Sequence, residues 1–158
     1  MPLIHLTTFI EAAPEMVFDL SRSVDLHKYS MKQHQEMAVD GVMSGLMNLN
    51  DVVTWKAKHM FRERKLTVKI TRFQKPDCFI DEQLKGDFRM MKHEHYFKPV
   101  ENGTIMIDQF HFELKNGWFG KIISSLYLEN YLRNLLLERN AAIKKAAEGS
   151  QWKQYLHS

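Results

Sequence analysis

The chain places a block of strand-like segments ahead of one long helix. From about Glu36 to Leu114, six or seven segments with strand character follow one another without a helix between them. From about Trp118 to Glu148, apolar residues instead recur at helical spacing over roughly thirty residues. A long amphipathic helix after an antiparallel meander is expected to lie across the concave face of the sheet. Function is therefore to be sought in the gap between the inward strand faces and the buried helix stripe.

The composition fits a single globular domain and excludes several classes of protein. We expect one domain over residues 1–148, with residues 149–158 as a loose tail after Gly149. The net charge is only +3, and basic residues are intermixed with acidic ones rather than clustered, which argues against nucleic-acid binding. No apolar run reaches the length of a membrane span, and the N-terminus lacks a charged signal-peptide start. A single cysteine, Cys78, suits a reducing compartment, so we expect a cytoplasmic protein without membrane insertion.

The first fifty residues predict one strand, two short helices and a glycine-containing segment. Residues Leu3–Ile10 form the predicted strand, Pro14 begins the first helix, and Leu26–Tyr29 form the second. The segment Asp40–Met47 is punctuated by glycine and yet apolar, which is typical of a mobile lid over a cavity. Ten methionines and ten phenylalanines indicate an interior that either fills a core or adapts to apolar ligands.

Alternation with a period of two assigns inward faces to four strands. Asn102-Gly103 between the last two strands predicts a hairpin turn. Centred there, the turn places Asp108 opposite Phe97 and diagonal to His95. The predicted inward residues, in chain order of the four strands, are Val53, Trp55, Ala57, His59 and Phe61; Leu66, Val68 and Ile70; Met91, His93, His95 and Phe97; and Met106, Asp108, Phe110, Phe112 and Leu114.

The long helix carries one arginine in the middle of its apolar stripe. Burial of the Arg139 guanidinium costs several kcal/mol unless an anion pairs with it, and Asp108 or Asp81 is the simplest partner. Alternatively, Arg139 anchors a ligand carboxylate, phosphate or enolate, or extends to the helix edge. The apolar stripe around it consists of Leu128, Leu132, Leu135, Leu136, Ile143 and Ala146.

Two inward histidines and an aspartate form the main polar constellation. His93 and His95 share one strand face, Asp108 lies on the neighbouring strand, and His59 faces the same interior. Four interpretations stay open: a buried hydrogen-bonded network, a set that orients a ligand, an acid–base pair, and a metal site. The seven glycines form no nucleotide-binding fingerprint, and we expect neither a cofactor nor a metal ion.

Several segments together resemble one protein family. They are Thr8–Arg22, Asp25–His27, Ser44-Gly45, Val53–His59, His93–Phe97, and Gly103-Thr104 leading to Asp108. Over Leu3 to about Glu148 the chain resembles bacterial SRPBCC (START-like, helix-grip) proteins, in the subgroup often labelled polyketide cyclase/dehydrase-like or cell-division-inhibitor-like. It departs from that subgroup at Met60-Phe61, where Phe-Gly is usual, and in lacking a proline before Asn116-Gly117.

The resemblance implies an α+β helix-grip fold, in which a curved seven-stranded antiparallel sheet wraps around the C-terminal helix. Two short helices follow the first strand, and a cavity for an apolar ligand lies inside. The wider superfamily includes lipid-transfer domains, pollen-allergen-like carriers, polyketide aromatases and hydrolase activators, so the fold leaves the function open.

We therefore expect a carrier or sensor that binds a small hydrophobic or amphipathic molecule rather than an enzyme. In the alternative, a cyclase or dehydratase, His95 is the base, Asp108 orients it and Arg139 stabilises an enolate. A third possibility is a protein-interaction or stress-response module. The predicted ligand-binding residues are Trp55, His59, Met91, His93, His95, Phe97, Asp108, Phe110, Phe112, Leu132, Leu136 and Arg139.

Overall fold

The computed structural model describes residues 2–115 and 125–156 and contains one sheet and one long helix. The start of the long helix, predicted near Phe119 or Gly120, lies outside the described residues. In chain order the elements are β1 (Leu3–Ile10), α1 (Pro14–Ser21), α2 (Val24–Ser30), a short 3-10 turn (Lys32–His34), β2 (Met37–Gly41), β3 (Val52–His59), β4 (Arg62–Gln74), β5 (Cys78–Lys85), β6 (Phe88–Val100), β7 (Gly103–Leu114), α3 (Ser125–Glu148) and α4 (Trp152–Tyr155).

The seven strands form one antiparallel sheet in the order β1-β7-β6-β5-β4-β3-β2. Strands β2 to β7 follow each other as a meander, and β1 joins the far side by pairing with β7. The α+β fold class, the seven-stranded sheet, the two short helices and the long C-terminal helix are all confirmed. Among the described residues, no helix is both long and apolar enough to cross a bilayer.

The short helices begin where the local sequence favours a helix start. Pro14 occupies the first turn of α1, where its missing N–H costs no hydrogen bond. The Ser23 side chain caps α2 by accepting a hydrogen bond from the Leu26 backbone N–H at 3.1 Å. Because of this cap, α2 begins at Val24, two residues before the predicted start.

One hydrophobic core fills the space between the concave sheet face, the short helices and α3. Phe18 of α1 is fully buried and meets Phe73, Phe79 and Phe97 in edge-to-face contacts, with ring centroids 5.3, 5.4 and 5.3 Å away. From α3, the predicted stripe contributes buried Leu128, Leu136, Ile143 and Ala146, with half-buried Leu132 and Leu135.

The predicted inward faces are confirmed except at Phe61, whose side chain is 96% exposed. Strand β3 ends at His59, which pairs with Arg62, so Met60 and Phe61 form a two-residue turn. Both turn residues have positive φ angles, 51° and 65°, as tight hairpin turns between right-twisted strands require. The alternation therefore stops two residues earlier than predicted, and the aromatic ring points into solvent.

The β6–β7 hairpin turns one residue earlier than predicted. Val100 pairs with Gly103, so Glu101 and Asn102 form the turn. A shift of the turn by one residue moves each cross-strand partner by two, and Asp108 consequently lies opposite His95 rather than Phe97.

The C-terminal residues are more ordered than the sequence indicated. Residues 149–156 are not a loose tail: α4 forms, and Trp152, Tyr155 and Leu156 pack against the core. Cys78 at the start of β5 is also buried, with 4% of its surface exposed.

Phe61→Gly should raise the free energy of unfolding by about 0.5–1 kcal/mol, because glycine adopts a positive φ without the Cβ penalty. The lost ring makes little contact, since it is almost entirely exposed. Urea unfolding measures the change. Phe61→Ala is the matched control: it removes the ring, keeps the Cβ and should gain nothing. A Phe61→Gly variant no more stable than Phe61→Ala would show that the turn is not strained.

Candidate functional site

One cavity, about 180 Å³, lies between the sheet and the N-terminal half of α3; it is called the larger cavity because the second cavity that contacts the sheet interior is smaller. Its walls come from β3, β4, the β5–β6 turn, β7 and α3, and most of the surface that they present is apolar. The lining residues are Glu36, Trp55, Ala57, His59, Met60, Arg64, Lys65, Leu66, Asp87, Phe88, Phe110, Leu128, Tyr131, Leu132, Leu135 and Leu136.

A few polar groups interrupt this apolar wall. His59 Nδ1 lies 2.9 Å from the Tyr131 hydroxyl, which joins the end of β3 to α3. Burial lowers the pKa of His59 and raises that of Tyr131, so both side chains are neutral near pH 7. Arg64 donates a hydrogen bond to Asp87 at 2.8 Å, in an ion pair that includes a partly exposed carboxylate.

A smaller cavity of about 70 Å³ is also lined by Trp55. Trp55 is the residue that the two lining sets share. The segment Asp40–Met47, considered above as a lid, is held beside the smaller cavity: Gly45 N–H donates to Asp25 at 2.8 Å and Met47 N–H to the Arg22 carbonyl at 3.1 Å. The residues that line the smaller cavity are Ser21, Arg22, Ser23, Val24, His27, Met47, Trp55, Val68, Ile70, Phe79, Asp81, His95 and Arg139.

Asp108 is the centre of a buried polar cluster that joins β7 to β6 and α3. Its side chain is 0% exposed and accepts three hydrogen bonds. His93 Nε2 donates at 2.7 Å, Asn140 Nδ2 at 2.8 Å and Arg139 Nη1 at 3.4 Å. The helix thus supplies two of the three donors, from adjacent positions on its buried face.

The hydrogen bonds of Asp108 keep its carboxylate ionised. Burial alone would raise the pKa of this carboxyl, since a charge is poorly solvated inside the protein. The hydrogen bond from His93 and the charge of Arg139 outweigh that effect and hold the pKa well below its usual range. Arg139 also donates to the Ser21 carbonyl at 3.2 Å and to Asn140 Oδ1 at 3.0 Å. The buried guanidinium therefore has partners on α1, β7 and its own helix.

His95 completes the cluster in a single tautomer. Its Nδ1 lies 3.3 Å from Arg139 Nη2, and a guanidinium only donates, so Nδ1 must accept. The proton is then on Nε2, which donates to Asp81 Oδ2 at 2.7 Å. Burial lowers the pKa of His95 well below its ordinary value, and the neighbouring His93 and Arg139 act in the same direction. Burial also raises the pKa of Asp81.

Asp81, His93 and His95 bring three possible metal-ligand atoms within 4.8 Å of one another. Tetrahedral zinc ligands lie about 3.3 Å apart, since zinc–nitrogen bonds are about 2.0–2.1 Å long. The His95–Asp81 distance of 2.7 Å is instead that of a hydrogen bond, and Arg139 brings a positive charge next to His95. The geometry is that of a hydrogen-bonded network.

The structure divides the twelve predicted ligand-binding residues into three groups. The larger cavity is lined by Trp55, His59, Phe110, Leu132 and Leu136. The smaller cavity is lined by Trp55 again, His95 and Arg139. The remaining five residues line neither of these two cavities: Met91, His93, Phe97, Asp108 and Phe112.

Some lining and cluster residues were missed from the sequence. Tyr131 lies three residues from Leu128 and four from Leu135, so the helical stripe could have included it. Asn140 lies four residues from Leu136 on the same face. Glu36 precedes β2 at a position that no periodic pattern marked. Asp108 as the partner of Arg139 was anticipated, whereas the tight partner of His95 is Asp81 rather than Asp108.

Asp108→Ala should lower the free energy of unfolding by about 3–5 kcal/mol, because it leaves the buried Arg139 without its anion. Chemical denaturation measures this change. Asp77→Ala is the control: Asp77 is exposed, and an exposed substitution should shift stability by less than about 0.5 kcal/mol. Equal stability of the two variants would contradict the assigned role of Asp108.

The stability of the protein should fall between about pH 6.5 and pH 5, in part because of His95. The unfolded chain takes up a proton on His95 below the ordinary histidine pKa of 6.5, whereas the folded protein keeps the ring neutral. The unfolded state then binds more protons, so the free energy of unfolding decreases as the pH falls. Asp81, with its raised pKa, contributes a slope of opposite sign above pH 3.8.

His95→Gln keeps a side-chain N–H toward Asp81 and removes the titrating ring, so its pH slope should be shallower than that of the parent. Denaturation midpoints across this range give the slope. His5→Gln, at an exposed position on β1, should leave it unchanged. An identical slope in His95→Gln and the parent would show that His95 is not held neutral.

The architecture is similar to that of several proteins of known structure. Searches with the sequence found no matching family model and no matching curated protein. Solved structures do match. TTHA0849 from Thermus thermophilus is 18% identical, with a TM-score of 0.71 over 92% of this chain and 99% of that chain. A START superfamily protein from Mycobacterium smegmatis is 8% identical, with a TM-score of 0.69 over 92% and 97%.

A third similar structure is the di-domain ARO/CYC StfQ from the steffimycin biosynthetic pathway. It is 13% identical, with a TM-score of 0.69 over 94% of this chain and 51% of that chain. At these identities the likeness establishes the fold alone. The chain therefore has the helix-grip fold of START-like proteins, as its sequence resemblance implied.

Proposed function

We propose that this protein binds a small hydrophobic molecule with one polar end, as a carrier or sensor. The observation that carries the proposal is the apolar cavity of about 180 Å³ between the sheet and α3. Ligand sites in proteins are typically concave, mostly apolar and equipped with a few polar groups that fix orientation. His59, Tyr131 and Glu36 supply such groups on a wall otherwise formed by aromatic and aliphatic side chains.

The buried cluster around Asp108 supports this assignment by elimination. Its members donate to and accept from one another, and Arg139 directs its donors to Asp108, Asn140, Ser21 and His95. A guanidinium used in this way is not available to a ligand in the larger cavity. The cluster accordingly acts on stability, and ligand recognition belongs to the groups of the larger cavity.

An enzyme of cyclase or dehydratase type is the second candidate. His95 and Arg139 line the smaller cavity, and the structurally similar StfQ is described as an ARO/CYC. Two observations weigh against His95 as a general base. Its lowered pKa makes it a weak proton acceptor, and its accepting nitrogen faces Arg139. The smaller cavity, about 70 Å³, is also less than half the size of the larger one.

The proposed carrier or sensor acts in the cytoplasm without a nucleic-acid partner. The single cysteine suits a reducing compartment, and the basic side chains of the sequence form no continuous run.

Phenylpropanol, an aromatic ring on a short chain that ends in a hydroxyl, is a suitable probe for a hydrophobic ligand with one polar end. Ala57→Met should weaken its binding by roughly tenfold or more, because the longer side chain fills the cavity that Ala57 lines. Isothermal titration calorimetry measures the affinity. Lys58→Met is the matched control, since it introduces the same side chain on the same strand toward the opposite, exposed side. His95→Gln should bind phenylpropanol as the parent does.

Two results would contradict the proposed function. One is the absence of binding by the parent, together with no co-purified small molecule in native mass spectrometry. The other is an equal loss of affinity in Ala57→Met and Lys58→Met, which would place the ligand elsewhere.

A further inference from the structure

Glu36 is a buried acid on the wall of the larger cavity. Glu36 is only 8% exposed, and it lines the cavity together with Trp55 and Ala57. In the β2–β3 pairing, Met37 lies opposite Lys56 and Ala38 opposite Trp55. Continuing this register by one residue places Glu36 across from Ala57, on the inward face of the sheet. A carboxylate at such a position needs partners for both of its oxygens.

Only one oxygen of Glu36 has a hydrogen-bond partner among the described residues. His27 Nε2 donates to Oε1 at 2.6 Å, and the His27 ring lies against Trp55 with centroids 4.3 Å apart. Oε2 accepts no hydrogen bond from the described part of the chain, and it is not among the fully enclosed side-chain atoms that lack a partner. It therefore keeps accessible surface, and the cavity that Glu36 lines is where a donor can reach it.

The other polar groups of the cavity do not offset the charge of an anionic ligand placed beside Glu36. His59 is neutral near pH 7 because burial lowers its pKa, and its Nδ1 is engaged with Tyr131. The Arg64 charge is paired with Asp87 at 2.8 Å. Lys65 borders the cavity, but it lies opposite Lys56 in the β3–β4 register, so its side chain is on the outer, exposed face of the sheet. Burial has the largest effect on the pKa of His59 and of Tyr131, and Glu36 acts to raise the pKa of both groups.

From this arrangement we infer that the ligand carries a hydrogen-bond donor at its polar end, an alcohol, phenol or ammonium group, which donates to Glu36 Oε2. The inference rests on the proposed function and specifies its ligand class. A donor completes the carboxylate with a charge-assisted hydrogen bond. A carboxylate-ended molecule would bring two anions together in a poorly solvated space, and it is disfavoured there.

The size of the cavity narrows the ligand class further. A cavity of about 150 Å³ lined by aliphatic and aromatic side chains holds one benzene molecule. The larger cavity, about 180 Å³, accordingly accommodates a single ring with a short chain. Four compounds with one common skeleton test the polar end: phenylpropanol, phenylpropylamine, phenylpropionate and propylbenzene.

Calorimetric titration of the four compounds near neutral pH tests the inference. In the parent protein, phenylpropanol and phenylpropylamine should bind at least about tenfold more tightly than phenylpropionate, the difference typical of a buried polar group left unmatched. In Glu36→Gln, which keeps the shape and removes the charge, the alcohol-over-acid preference should shrink to less than about threefold. The amine should lose affinity about tenfold, and propylbenzene should bind both proteins equally.

Glu63→Gln is the matched control, because Glu63 is an exposed residue of β4 and should not affect selectivity. Phenylpropionate that binds the parent as tightly as phenylpropanol would overturn the inference, and this result requires no variant to fold. So would an unchanged preference in Glu36→Gln. If propylbenzene binds and no polar preference appears, only the ligand class is wrong. If none of the four binds, the inference fails; if native mass spectrometry also detects no co-purified small molecule, the proposed function fails with it.

Discussion

The buried carboxylate of Asp108 is the group on which the placement of the long helix depends. A charge with no exposed surface is tolerated only if donors surround it, and here they come from both sides of the core. His93 donates from the sheet, whereas Arg139 and Asn140 donate from α3. Apolar contacts are non-directional, whereas hydrogen bonds to one carboxylate require particular distances and angles. The cluster therefore adds a directional constraint on the position of the helix to the packing of its apolar stripe.

That attachment divides α3 into two parts with different surroundings. In the C-terminal part, Ile143 and Ala146 are buried against the sheet and α1, and Lys144 donates to the Phe9 carbonyl at 2.6 Å. Glu148 accepts from the Glu11 backbone N–H at 2.9 Å, which joins the end of the helix to the residue after β1. In the N-terminal part, Leu132 and Leu135 are only half-buried and cover the larger cavity. The helix is therefore fixed at one end and forms the wall of a cavity at the other.

Much of the fold could be predicted because it follows from local periodicity. Alternation along β6 placed His93 and His95 inward, and the helical repeat placed Arg139 in the buried stripe. The failures arose where a turn, rather than a period, decides the geometry. At Phe61 the strand had already ended, and at Asn102 a shift of the turn by one residue changed the partner of Asp108. Periodicity gives the face on which a residue lies but not where a strand stops.

The site was less predictable than the fold, for a related physical reason. The sequence identified the inward polar residues as one group, but it could not show that they are divided between two cavities that both contact Trp55. It also did not identify Asp81 as the partner of His95. In the sheet register Asp81 lies opposite His93 and Asp108 opposite His95, but each histidine donates to the diagonal carboxylate. The sequence did not predict Glu36 as a residue of the site. A lone acid beside a short edge strand has no periodic signature, and only the three-dimensional arrangement shows that it faces an apolar space.

The two cavities differ in how far their polar groups are already satisfied, and this difference separates stability from recognition. Around Asp108, each charge has partners within the protein, so a ligand could bind there only by replacing existing hydrogen bonds. Replacement of that kind gives no net gain unless the new contacts are better than the old ones. In the larger cavity, Glu36 keeps an oxygen accessible and His59 and Tyr131 bond mainly to each other. Under the proposed function, a ligand there would add contacts without breaking any. Its selectivity would come from the Glu36 oxygen that accepts no hydrogen bond from the described residues, while the apolar walls would supply most of the affinity.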